Sequence, residues 1–208
     1  MASRSIYVET FIRSNLDTVW AVTRDPTEHV RWDLRFSEIR PTGPTADGAE
    51  RFEYVRRTPL HTVRGTGVSI GEIDRPDGAR TSALRFSTPD RWSPIASGRG
   101  YWRYEPGPEG VRFITGYDYR AGWGAFDLMV RPLLGWATAW SFDRLRIWLE
   151  GGPEPERWPL VSATWFWRQD RPRASRCRRA PDGGRRRDDH LRSAPTTLSR
   201  LADPERSS

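Results

Sequence analysis

At 208 residues the chain has room for one domain with a sizeable core and a remainder, and is short for two full domains. Its net charge of +7 is unevenly spread, with 21 Arg against 19 acidic residues through Glu150 and 13 against 8 from Gly151 on. All 34 basic residues are Arg, so the surplus reads as codon bias on a solvated surface before it reads as a polyanion site.

The single Cys177 excludes an internal disulfide and any cysteine-based metal cluster. His29, His61 and His190 lie far apart without metal-ligand spacing, so no metal is expected. Met1 to Ser5 lacks the apolar core of a signal peptide, which makes a cytoplasmic location the expectation. The most apolar window, Pro132 to Phe142, is 11 residues long, whereas a membrane-crossing helix needs about 20.

From Ser5 to Arg13, Ile6, Val8, Thr10 and Ile12 alternate with Tyr7, Glu9 and Phe11, the period of a strand. Ser14 and Asn15 then offer N-cap oxygens to a helix with Leu16, Val19, Trp20 and Thr23 on one stripe, and Asp17 falls where the helix dipole favours an anion. Asp25-Pro26 ends that helix and starts a short second one carrying His29, Val30 and Trp32, because Pro suits a first turn and disfavours helix in the residue before it. Beyond it, turn clusters at Pro41 to Gly48, Arg75 to Gly78, Thr88 to Pro94 and Glu105 to Gly110 separate alternating runs. The runs are Phe36 to Arg40, Arg51 to Arg57, Thr62 to Ile73, Thr81 to Phe86, Gly98 to Tyr104 and Val111 to Arg120, which with the first makes seven antiparallel strands.

A long helix is predicted from about Trp123 to Glu150, where Phe126, Met129, Leu133, Trp136, Trp140 and Ile147 cluster on one side. Pro132 inside it predicts a kink or a later start, and Gly151-Gly152-Pro153 ends it. Residues 151–170 hold a Trp-rich cluster, Trp158 to Trp167, whose packing the pattern leaves open. Residues 171–208 carry too few apolar side chains to order themselves and are expected to be disordered.

The order strand, helix, helix, six strands, long helix, with Val19-Trp20-x-Val22-x-x-Asp25 and Trp32 seven residues later, resembles the START-like helix-grip superfamily. This is the SRPBCC, or polyketide cyclase/dehydrase and lipid-transport, group, and the resemblance covers about Ser5 to Glu150 within a domain of residues 1–150. It implies an α+β helix-grip fold, a curved antiparallel sheet wrapped on the last helix, with a deep and mostly apolar cavity between them. Members bind lipids, quinones, plant hormones or polyketides, and a subset cyclise poly-β-ketone chains.

If that architecture holds, the inward strand faces supply the ligand-binding residues. They are Phe52, Tyr54 and Arg56 on one strand, Phe86 beside Leu84, Trp102 with Tyr104, and Phe113 and Tyr117, closed by Met129, Leu133 and Trp136 of the helix. Each aromatic is as readily plain core. Arg56 could stabilise an enolate or a ligand carboxylate, or be a strand-end Arg whose head reaches solvent. Tyr54, Tyr104 and Tyr117 could pass a proton to a polyketide oxygen, so the catalytic candidates are Arg56, Tyr54 and Tyr117.

His29 and Asp33, four apart, could form a general-base pair near the cavity mouth or an exposed contact of small value. Ser69, Ser87 and Ser97 lack a nucleophile elbow, and Gly65-x-Gly67 lies inside a strand and not before a helix, so no cofactor is expected. Arg168, Arg171, Arg173, Arg176, Arg178, Arg179 and Arg185 to Arg187 could contact a polyanion or membrane surface weakly, but interspersed acids dilute the field and no base-reading motif accompanies them. The expected function is binding of a small aromatic or polyketide-like molecule, with cyclase or dehydratase chemistry as its enzymatic version. A non-catalytic carrier or sensor and a polyanion-binding tail are the alternatives.

Overall fold

The computed structural model describes residues 5–45, 47–73, 75–181, 191, 194–202 and 204. Strand β1 (Ile6–Ile12) runs into helix α1 (Leu16–Arg24) and helix α2 (Pro26–Trp32). Six strands follow: β2 (Glu38–Pro44), β3 (Glu50–Arg57), β4 (Thr62–Glu72), β5 (Arg80–Ser87), β6 (Ile95–Gly107) and β7 (Gly110–Ala121). A single 3-10 turn, Gly124–Phe126, leads into helix α3 (Asp127–Leu149).

The two short helices form for the reasons their caps announce. Asn15 Oδ1 accepts the Thr18 N–H at 2.7 Å, and Asp25 Oδ1 accepts Thr27 N–H at 2.7 Å and Glu28 N–H at 3.1 Å, with Pro26 in the first turn of α2. Together they carry the chain from β1 at one edge of the sheet to β2 at the other, since the strand order is β1-β7-β6-β5-β4-β3-β2 and every pairing is antiparallel.

Across the sheet, ring and glycine alternate from strand to strand. The register sets Phe52 beside Gly67, Gly67 beside Phe86, Phe86 beside Gly98 and Gly98 beside Tyr119. A Cβ at Gly67 would stand 2.3 Å from Phe52 Cζ, and one at Gly98 would stand 2.3 Å from Phe86 Cζ. The glycines are therefore the floor on which neighbouring rings lie down, which supplies a physical reason for Gly65-x-Gly67 inside a strand.

The main core lies between the sheet and the second half of α3. Phe113 stacks on Phe142 with centroids 4.4 Å apart, and Trp32 and Trp140 are fully buried beside them. The first half of α3 is open, leaving Leu128, Met129 and Leu133 between 63% and 76% exposed, whereas Thr138 to Leu145 is buried throughout. The helix starts at Asp127, four residues later than Trp123 and still five before Pro132, which therefore lies inside it. Pro132 sits in the open half, where it withholds the N–H that Leu128 C=O would otherwise accept.

The Trp-rich segment packs on this core, Trp158 being completely buried with Trp165 half-buried beside it, while Phe166 and Trp167 stay exposed. The disorder expected from Arg171 onward does not begin there. Ala174 and Cys177 join the main core, and Asp143, wholly inaccessible on α3, accepts Arg173 N–H at 2.8 Å and pairs with Arg176 at 3.1 Å. Arg178 then pairs through both backbone groups with Glu9 on the free edge of β1, at 2.9 Å each way. Composition misled because it counts each Arg as solvated, and here buried carboxylates of the domain receive them. Leu198 and Leu201 pack with Val68 and Ala83 on the sheet face turned away from α3. Residues 182–190, including Arg185 to Arg187, and 192–193, 203 and 205–208 lie outside the described residues.

Candidate functional site: a two-chamber cavity

Two cavities lie between the sheet and the helices. The larger, about 860 Å³, sits under the open half of α3, and the smaller, about 120 Å³, reaches inward towards α1 and α2. Arg35, Phe36, Phe86 and Tyr117 belong to both walls, so these four side chains form the partition.

Of the residues expected to line a cavity, Tyr54, Arg56, Leu133 and Trp136 face the larger chamber, Phe52 and Trp102 the smaller, and Phe86 and Tyr117 both. Three others line neither. Tyr104 and Phe113 are fully buried and stack on each other at 4.9 Å, having spent their faces on core packing. Met129 is 67% exposed, because the lining stripe of α3 runs through Val130, Leu133, Leu134 and Ala137, turned by about one residue from the stripe through Phe126 and Met129. The docking of the second half of α3 sets that rotation, and a count of apolar positions does not see it.

The tyrosine hydroxyls are largely committed. Thr138 Oγ1 gives its only proton to Leu134 C=O at 2.8 Å, so in the 2.9 Å pair between Tyr117 and Thr138 the phenol must be the donor. Thr23 likewise donates to Val19 C=O at 2.8 Å, which makes Tyr104 the donor in their 2.7 Å contact. Tyr54 donates to Ser87 C=O over a long 3.4 Å. Burial pushes all three phenols above their ordinary range, so none is a base at neutral pH.

His29 and Asp33 are not an exposed pair. Both are buried, with Nε2 of His29 3.1 Å from Asp33 Oδ2, and the carboxylate can only accept, so this nitrogen carries the proton. The imidazole lies flat on Trp32, 4.8 Å between centroids and 5° between planes, with Trp102 on another side. Burial pushes His29 below the usual histidine range, against the pull of Asp33.

Arg35 completes this group and was not singled out by the sequence pattern. Its Nε donates to Asp33 Oδ1 at 2.9 Å and its Nη2 to Asp33 Oδ2 at 2.6 Å, a bidentate pair. Burial alone would raise the Asp33 carboxyl, but the Arg35 charge and the bonds from His29 and Arg35 outweigh it and hold Asp33 well below the usual carboxylate range. The one available signal was the spacing in Asp33-Leu34-Arg35, which becomes a pair only because α2 ends at Trp32 and the chain turns there.

At the inner end Arg24 donates from Nη1 to Ser82 Oγ at 2.8 Å and from Nη2 to Glu50 at 3.0 Å. Among the described residues no group of three or more His, Cys, Asp or Glu side chains could hold a metal ion. Four of the arginines expected to make a loose cationic tail meet partners within the described residues: Arg168 on Asp170, Arg171 on Trp165 C=O, Arg176 on Asp143 and Arg178 on Glu9.

Solved structures of the same architecture exist. The STAR-related lipid transfer protein of Xanthomonas axonopodis superposes with a TM-score of 0.50 over 70% of this chain and 85% of its own, at 19% identity. A START superfamily protein of Mycobacterium smegmatis gives 0.50 over 71% and 94% at 12% identity, and a protein of Arthrobacter aurescens 0.51 over 74% and 90% at 14% identity.

The chain has a START-like helix-grip fold.

At these identities the likeness speaks to fold alone. No family model matches the sequence. Over 164 residues, 76% of the chain, the helix-grip protein is 40% identical to the uncharacterized membrane protein YndG of Bacillus subtilis (strain 168), and it spans 61% of that protein's length. No helix among the described residues is long and apolar enough to cross a membrane.

Proposed function

We propose that this helix-grip protein is a carrier or sensor that holds a small hydrophobic molecule in the two chambers without turning it over. The observation that carries the reading is the larger chamber, about 860 Å³ walled by Tyr54, Phe86, Leu133 and Trp136, within the roughly 300–1,000 Å³ that suits a drug-sized ligand. The aromatic walls suit an aromatic or polyketide-like cargo. The shared fold of a protein named for lipid transfer supports a lipid-like one. A relative named a membrane protein fits a cargo exchanged with a bilayer.

The committed protons of Tyr104 and Tyr117 favour a carrier over a cyclase, which would have to draw on Arg56 and the loosely held Tyr54. Native mass spectrometry of the purified full chain tests the reading, with released small molecules then identified. Excess mass from a bound hydrophobic compound is the expected result. A chain that arrives empty and takes up neither fatty acids nor polycyclic aromatics would sink it, and conversion of a poly-β-ketone would replace the carrier with a cyclase.

A further inference from the structure

The charge on the chamber walls is one-sided. Arg24, Arg35, Arg51 and Arg56 line them, and among the described residues Glu50 is the one carboxylate that does. Arg24 and Glu50 answer each other at 3.0 Å. Arg35 is paired from behind with Asp33, so the excess on the walls is that of Arg51 and Arg56, and an occupant with its own negative charge would suit that net positive lining.

Arg35 is the guanidinium placed to meet that charge. It stands in the partition, within reach of both chambers, and keeps 18% of its side chain accessible while Asp33 keeps none. Asp33 binds the edge formed by Nε and Nη2. Asp33 does not use Nη1, on the opposite edge, where a ligand oxyanion would share the guanidinium with the Tyr117 hydroxyl, which also lies within its hydrogen-bonding reach. The planar fork of Arg offers N–H donors on more than one edge, so one carboxylate can hold the group in place while a second is recognised. Its carbon lies 5.5 Å from the Tyr117 ring centroid and 5.8 Å from that of Phe36, and these rings limit how it can swing. Holding the guanidinium rigid from behind lowers the ordering cost of binding.

We infer that the cargo is an amphiphile with a carboxylate or comparable oxyanion head, its apolar body in the larger chamber and its head on Arg35 at the partition. This rests on the cavity-binding reading above and adds the chemical class of the occupant. Asp33 acts here as a positioning residue, and Arg35 as the group that touches the ligand.

The test uses matched pairs at pH 8 with the full chain: laurate against 1-dodecanol, and 2-naphthaleneacetate against 2-naphthaleneethanol, by isothermal titration calorimetry. At least one acid is expected to bind ten-fold or more tightly than its alcohol. Because Arg35→Gln alone leaves the Asp33 charge buried with only the hydrogen bonds from His29 and from the backbone N–H at position 35, the comparison is Arg35→Gln with Asp33→Asn, whose melting temperature and circular dichroism confirm folding. In that double variant the acid and alcohol should fall within about two-fold of each other.

Equal binding of acid and alcohol by the native chain, or a preference that survives the double variant, overturns the assignment while leaving the cavity reading intact. Loss of the preference in Arg56→Gln and not in the double variant moves the head to the chamber mouth and overturns it too. If neither member of either pair binds, the cavity reading falls and the assignment falls with it.

Discussion

Thr138 illustrates how one hydroxyl decides what another can do. By giving its proton to Leu134 C=O it becomes an acceptor for Tyr117, and the phenol is held against α3 instead of pointing at cargo. Thr138→Val keeps the shape and removes the acceptor, so it should cost about 1–3 kcal/mol in urea unfolding, the penalty of a buried hydroxyl without a partner. A change under a few tenths of a kcal/mol would mean that Tyr117 finds another partner. His29 carries a pH signature of its own. Its folded value lies below the ordinary 6.5, so the unfolded chain binds the extra proton first, and stability is full above 6.5 and falls as the pH drops below it. Asp33, held below its ordinary 3.8, adds stability that is present above 3.8 and is lost as the pH falls through its folded value. Melting temperatures should therefore begin to fall below 6.5 in the native chain, and His29→Gln should flatten the profile down to about pH 5. An unchanged profile would refute the assignment to His29.

Helix α3 has two halves with different duties, and they should differ in amide exchange. The half from Thr138 to Leu145 is clamped between the sheet and the C-terminal segment, whereas Asp127 to Ala137 roofs the larger chamber and lacks the bond Pro132 cannot give. Amides of the first half should exchange at least ten-fold faster than those of the second, since local opening follows the density of buried contacts. Equal protection would contradict this division. The C-terminal segment can be read through Cys177, whose thiol burial pushes up to about 12 and whose Sγ donates to Ala139 C=O at 3.2 Å. It should resist a disulfide reagent at pH 8 in the native state and react promptly in denaturant; prompt native labelling would show the segment undocked. Much at this scale was legible in the sequence. Asn15, Asp25-Pro26 and the Gly and Pro clusters marked element ends to within a few residues, because caps and turns are local chemistry. The lining stripe of α3, the Asp33 and Arg35 pair and the docking of Ala174 and Cys177 were not legible, because each depends on how distant pieces meet.

For the molecule as a whole, the domain does not end where helix α3 does. Trp158 is completely buried, Arg144 Nε donates to Pro155 C=O at 2.8 Å, and Arg31 pairs with Glu154 and Glu156. A chain cut after Glu150 loses these contacts and leaves the inaccessible Asp143 without Arg173 and Arg176. It should be destabilised by at least about 3–5 kcal/mol, the usual cost of deleting one large buried aromatic. Denaturant melts of the two lengths check this, and equal midpoints would show the segment to be an accessory.

The row of rings laid over glycines has a further consequence for how the protein could change its cargo. At Gly67 the atoms an added methyl meets first are the outer atoms of the Phe52 ring, so alanine there would tip that ring, a wall of the smaller chamber, without replacing any side chain that lines it. Selectivity can thus drift by single carbon atoms placed beneath the lining, and two chains with identical linings could accept different molecules.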